Sequence, residues 1–185
     1  MLAADAFGPT PTIDGPVVTL RPLGPEYLDA YLPMLFDPES AKLTGPAPVT
    51  VTRETALAWL ASRAEHTDRV DFAVTDTETG AFLGETVLND FDPDNASANF
   101  RIALAGSAVF GRGYGTAATA MTLDYGFDTV GLHRIHLEVF DFNPRARRVY
   151  EKCGFRHEGT LRDAHHDDGG WHNVIGMAVL ATDPR

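Results

Sequence analysis

The sequence predicts an α+β domain, with strands of mixed order and helices interleaved among them. Three observations carry this reading. A block of β-rich runs, VDFAVTD (70–76), FLGETVLNDFD (82–92) and NFRIALA (99–105), is separated by the turn-like ETGA and PDNASA. A sharply punctuated helix, DFNPRARRVYEKCGF (141–155), follows 36 residues later, so strands and helices are not segregated. Between them a glycine-dense turn, FGRGYG (110–115), leads into a further helical stretch.

The elements follow in chain order. Residues 1–16 are rich in Ala, Pro, Gly and Thr and read as a flexible arm, tied down by a partner if at all. Residues 17–185 form a single domain, because a chain of 185 residues fills one core and leaves little for a second. VVTLRPL (17–23) alternates and is β-branched, a strand. PEYLDAYLPMLF (25–36) is a helix entered at Pro25 and disturbed near Pro33. DPESAKLTGPAPV (37–49) reads as a turn-rich connection. TRETALAWLASRAEH (52–66) pairs Thr52 with Thr55 at its start and spaces Leu57, Leu60 and Ala64 helically. The three strands come next, the third feeding the glycine turn. Thr116 to Asp128 is helical, with Thr119, Thr122 and Gly126 as a weakly polar stripe. HRIHLEVF (133–140) is a strand with Ile135, Leu137 and Val139 on one face and His136, Glu138 and Phe140 on the other. In the 141–155 helix, Asn143 caps, Pro144 opens the first turn and Gly154 stops it. Ala146, Val149, Tyr150 and Cys153 share its apolar stripe. FRHEGTLRDA (155–164) and WHNVIGMAVL (171–180) are strands around an Asp-Asp-Gly-Gly turn.

Composition excludes several classes. A formal net charge of −11 argues against nucleic-acid binding, which needs a basic face, and suits a cationic substrate. No apolar run approaches the roughly 20 residues of a membrane helix. MLAADAF lacks a signal peptide's basic and apolar regions, and Cys153 is the only cysteine, so a cytoplasmic protein is expected. The His165-His166-Asp167-Asp168 run does not make a metal site, since adjacent ligands rarely close a tetrahedron.

A cluster of glycines before a helix points to an anion cradle. Glycine permits unusual dihedrals and close approach, and a helix start offers unpaired N–H groups with partial positive charge. Gly111, Gly113 and Gly115 give G-x-G-x-G, not the dinucleotide spacing, and no G-K-[ST] follows. A pyrophosphate carried by coenzyme A is the third reading.

ArgGlyTyrGlyThrAla (112–117) followed at a distance by AsnProArgAlaArgArgValTyrGluLysCysGlyPhe (143–155) resembles the GCN5-related N-acetyltransferases. His133-Arg134-Ile135, Glu158-Gly159, Leu161-Arg162, Asp168-Gly169 and Met177 resemble its RimJ/RimL-like branch. The resemblance spans roughly residues 17 to 181. It implies a mostly antiparallel central sheet with helices on both faces, and acetyl-CoA as cosubstrate. It also implies an amine acceptor, either a peptide N-terminus or a small amine, and it allows a homodimer. The backbone from Gly111 through Arg112, Gly113, Tyr114 and Gly115 to Thr116 would grip the pyrophosphate. Leu104 and Ala105 would offer a strand edge to the pantetheine arm, and Asn143 would reach that arm. Tyr150 would lie beside the sulfur as general acid; a tyrosine with a pKa of about 10 stays protonated at neutral pH.

The base is open. Where many relatives carry a Glu, this chain has Asn99. Glu85, Asp90, Glu138, His165 and His166 are alternatives, and His165 is the leading one because histidine titrates near neutrality. Two rivals remain: a CoA-binding sensor without catalysis, and a phosphate- or nucleotide-binding module with no use for Asn143 or Tyr150.

Overall fold

The computed structural model describes residues 1–45, 51–167 and 169–184. The heart of the expected entrance loop (46–50) and Asp168 of the expected turn lie outside those residues. Strands β1 (Ile13–Asp14) and β2 (Val18–Pro22) open the chain. A 3-10 turn at Pro25–Tyr27 then leads into α1 (Leu28–Leu35), with Pro33 inside it. α2 (Pro38–Thr44) and α3 (Arg53–Ser62) follow, then β3 (Val70–Asp76), β4 (Phe82–Asp92) and β5 (Ser97–Leu104). α4 (Tyr114–Asp124) runs on as a π-helical segment, Tyr125–Val130. β6 (Arg134–Phe140), α5 (Pro144–Lys152), β7 (Arg156–Asp167) and β8 (Gly170–Leu180) complete the fold.

The strands form one sheet in the order β1-β2-β3-β4-β5-β6-β8-β7. Every neighbouring pair is antiparallel except β5 and β6. The expected α+β class, a mostly antiparallel sheet with helices on both faces, is the observed one. One core lies between the sheet and α4 and α5, around Leu20, Phe72, Leu88, Ile135, Leu137 and Met177. A smaller one lies on the opposite face under α1 and α3, around Tyr31, Met34, Ala56, Leu60 and Ala73. Each buried Leu, Ile, Phe or Met among them contributes about 1.5–3 kcal/mol.

Several local readings change. The 37–49 stretch contains α2, because the Asp37 carboxylate caps the Ser40 N–H at 2.8 Å and Pro38 opens the first turn. On α3, Thr52 and Thr55 form the expected reciprocal cap, but Leu57 is exposed and Ala56 and Leu60 are buried. The weakly polar stripe of α4 is its buried face: Thr119 and Thr122 have no exposure. Thr122 Oγ1 lies 2.9 Å from Thr86 Oγ1 on the sheet, and small residues let the helix sit that close. His165 and His166 belong to strand β7, not to a loop. The first residues are anchored by the domain itself. Phe7 is buried in the main core, and its carbonyl accepts from the Tyr125 hydroxyl at 2.9 Å.

Candidate active site

β5 and β6 pair only through Ser97–Asn99 and Arg134–His136. Beyond that point the strands part. The ladder between them does not continue past His136, whereas on its other edge β6 stays paired with β8 from Arg134 to Phe140. The gap is a cleft of about 1120 Å³, lined from both strands and from the starts of α4 and α5.

At one end of the cleft is the glycine turn. Gly111 and Gly113 have φ of 75° and 86°, the left-handed region that disfavours side chains. Gly113 is the N-cap of α4 and offers no side-chain cap. The first backbone bond of the helix runs from the Ala117 N–H to the Gly113 carbonyl at 3.0 Å. The N–H groups of Tyr114, Gly115 and Thr116 therefore have no acceptor within the helix and carry the positive end of its dipole. Gly111, Gly113, Gly115 and Thr116 all line the cleft. Arg112 is exposed outside the lining, and the Tyr114 hydroxyl donates to Asp76 Oδ2 at 2.8 Å, fixing the turn to β3.

The β5 edge forms one wall. Ala105 donates its N–H to Leu83 on β4 at 2.8 Å. Alternate backbone groups of a strand point to opposite sides, so those of Leu104 and Ile102 face the cleft. The Leu104 carbonyl already accepts from the Ser40 hydroxyl at 3.1 Å. Ile102, which the sequence reading did not single out, is thus the clearer pairing position, and its signal was the same strand alternation.

Across the gap, the Asn143 side chain accepts from the Ala146 N–H at 3.1 Å and so caps α5 while lining the cleft. Tyr150 is buried, packed edge-on against Phe100 at 6.2 Å and Phe155 at 5.7 Å. Its hydroxyl pKa is raised first by burial and then by Cys153. Tyr150 thus holds its proton more tightly than an ordinary tyrosine, in contrast to the unshifted value expected from sequence.

Glu85 on β4 lies in the same cleft. Burial pushes its carboxyl up to about 7; Arg101 pulls it down and Asp71 pushes it up. Its Oε2 is out of contact with water and has no hydrogen-bond partner among the described residues. Asn99 donates to Asn89 Oδ1 at 2.9 Å. His136 lines the cleft with its Nδ1 buried and without a hydrogen-bond partner among the described residues, and burial lowers its pKa. Asp90 and Glu138 line the outer part. His165 is not in the lining: its ring stacks on Phe140 at 4.3 Å, and His166 packs against Trp171. Among the described residues no cluster of His, Cys, Asp or Glu could hold a metal ion.

A second pocket of about 560 Å³ opens from the cleft, sharing Ser40, Thr44, Glu85, Arg101 and Ala103 with it. Its far wall comes from α1 and α3, with Tyr31 and Trp59 stacked at 5.4 Å.

Residues 18–156 match the family model described as an acetyltransferase (GNAT) domain. The spermidine N(1)-acetyltransferase of Vibrio cholerae is 33% identical over 109 residues, 59% of this chain and 62% of that protein. The putative ribosomal N-acetyltransferase YdaF of Bacillus subtilis is 29% identical over 101 residues, 55% of each chain. The matched stretch thus spans somewhat more than half the length of these relatives. Among solved structures, the spermidine N-acetyltransferase of Vibrio cholerae in complex with CoA and spermine superposes with a TM-score of 0.79 at 26% identity, covering 91% of this chain and 98% of that one.

Proposed function

The chain belongs to the GNAT acetyltransferases, and on that premise we propose that it moves the acetyl group of acetyl-CoA to a primary amine by direct attack on the thioester. One observation supports this most strongly: the parting of β5 and β6 gathers unpaired helix-start amides, a free strand edge, a protonated tyrosine and a carboxylate poised near neutrality in one cleft. That set fits acetyl-CoA. The amides of Tyr114, Gly115 and Thr116 suit its pyrophosphate, and the edge at Ile102 and Leu104 suits its amide-bearing arm. When bound, it supplies a thioester carbonyl to the amine.

The residues divide the proton work. An amine arrives as an ammonium and must lose a proton before it can attack. Glu85 takes this role in place of His165, because its carboxylate is buried in the cleft with a pKa of about 7. Tyr150 holds a proton at its hydroxyl and gives it to the departing sulfur. Its raised pKa keeps that proton on the hydroxyl until the sulfur departs, and apolar surroundings raise the basicity of a leaving thiolate as well.

The relatives named for spermidine support a small amine; the one named as ribosomal supports a protein N-terminus and the RimJ/RimL-like assignment. Use of acetyl-CoA and a lone unpaired cysteine fit work in the cytoplasm. Among the described residues no helix is long and apolar enough to cross a membrane. Thiol release from acetyl-CoA over a panel of amines tests the proposal. Tyr150→Phe is expected to lower kcat by about 10²–10³-fold while leaving CoA affinity within about threefold. Binding of CoA without turnover of any amine would make the protein a sensor instead, and no binding at all would leave a phosphate-binding module.

A further inference from the structure

We propose that the second pocket takes the acceptor as a singly charged primary amine with an apolar, ring-sized body, and that this chain disfavours polyamines. The proposal rests on the acetyltransferase reading, because the pocket gains its role by opening into the cleft at Glu85.

The pocket's walls are apolar. Tyr31, Met34, Leu35, Ala56 and Trp59 line it, and its volume of about 560 Å³ lies in the range of small-molecule sites. Among the described lining residues, Glu85 and Arg101 are the only charged ones. A monoamine places its single charge against Glu85 and its body against the walls. A polyamine keeps further ammonium groups charged while one reacts. Within this pocket those groups would meet no second carboxylate among the described lining residues and would share the space with Arg101. Burying a charge without a partner costs several kcal/mol.

Aromatic rings can stand in for carboxylates by taking a cation on their faces. Here the largest of the rings is already engaged. The Arg63 guanidinium lies over the Trp59 ring at 4.3 Å, and Tyr31 stacks on it at an interplanar angle of 20°. Both groups already draw on the Trp59 ring, which leaves it a poorer host for a further cation. Tyr31 in turn has Phe82 edge-on at 6.4 Å. The rings therefore form an apolar wall, not a cage for ammonium.

The same recognition could act on a free arylalkylamine or on a peptide whose first side chain is apolar. The test measures thiol release by the full chain with phenethylamine, a tetrapeptide beginning with Phe, and spermidine. The expected result is a kcat/KM for phenethylamine or the peptide at least tenfold above that for spermidine, and whichever of the two is faster identifies the source. Trp59→Ala is expected to raise the KM of the preferred substrate about tenfold, with kcat within about twofold. Thr44→Glu, at an exposed position on the pocket rim, supplies the missing carboxylate and is expected to raise kcat/KM for spermidine about tenfold without depending on a core substitution. Spermidine turned over as well as or better than the other two by the unaltered chain overturns the proposal while leaving acetyl transfer standing. The chain has two tryptophans, so Trp171→Phe leaves Trp59 as the sole fluorescent reporter. Quenching by phenethylamine in the CoA-loaded variant, with no thiol release when acetyl-CoA replaces CoA, would uphold the pocket and sink the transfer reading.

Discussion

Glu85 is the residue on which pH acts. It works as a base only when ionised, so kcat/KM is expected to climb with pH to about 7 and then level. Glu85→Gln is expected to abolish that rise and lower kcat by about 10²–10³-fold. The stability effect runs the other way. The folded chain holds this proton more tightly than the unfolded chain, whose carboxyl titrates near 4.5. The contribution is therefore complete below about 4.5 and is lost as pH rises to about 7, at most roughly 3 kcal/mol. Glu85→Gln is expected to melt above the parent protein at pH 8 and close to it at pH 4, which thermal scans at the two pH values would check. Loss of activity with gain of stability is the signature of a buried catalytic carboxylate; loss of both would mark Glu85 as merely structural. The sequence named Glu85 among several acids but could not rank it, because the ranking depends on burial by α1, which brings the Tyr31 hydroxyl beside the carboxylate from 54 positions away.

At the scale of elements, two glycines flank α4 with different duties, Gly113 at its N-cap and Gly126 in the π-helical segment that continues it. A Cβ at Gly113 would meet nothing within 4 Å, so Gly113→Ala costs only the left-handed backbone, about 1–2 kcal/mol. Relaxation of that strain would turn the helix-start amides, and CoA affinity is expected to fall about tenfold by calorimetry. A Cβ at Gly126 would lie 2.8 Å from Ile135 Cδ1 and 3.1 Å from Leu88 Cδ1. Gly126→Val is expected to cost about 1–3 kcal/mol in urea unfolding by prising the helix off the sheet, with CoA affinity per folded molecule little changed. The start of α4 was legible in sequence because glycine spacing reports backbone conformation directly. Its buried stripe was not: Thr119 and Thr122 look polar, yet their hydroxyls bond back to the Gly115 and Ala118 carbonyls at 2.7 and 2.8 Å, so they bury at little cost. α2 was missed although Asp37 and Pro38 announce it, since seven residues show too little periodicity.

The molecule as a whole is two half-sheets joined by three paired positions of β5 and β6. A ligand that adds main-chain pairing in the gap would bridge them. Hydrogen exchange at Ile102 and Leu104 is therefore expected to slow on CoA addition by more than tenfold, with β2 and β3 little affected. The strands from β2 onward, the 143–155 helix and the α+β class were readable from alternation, caps and turns, whereas β1 lies in the stretch read as a flexible arm. The divergence of the two strands was not, because the length over which β5 and β6 stay paired is set by their course in three dimensions and leaves no local pattern.

Cys153, the chain's lone thiol, has its Sγ 3.6 Å from the Thr116 carbonyl and a pKa pushed up to about 11. Thiolates attack disulfide reagents, and at neutral pH this sulfur is almost entirely in the thiol form. A colorimetric readout of liberated coenzyme can thus be run continuously in the protein's presence with a near-zero blank, and no cysteine-free variant is needed for the kinetics.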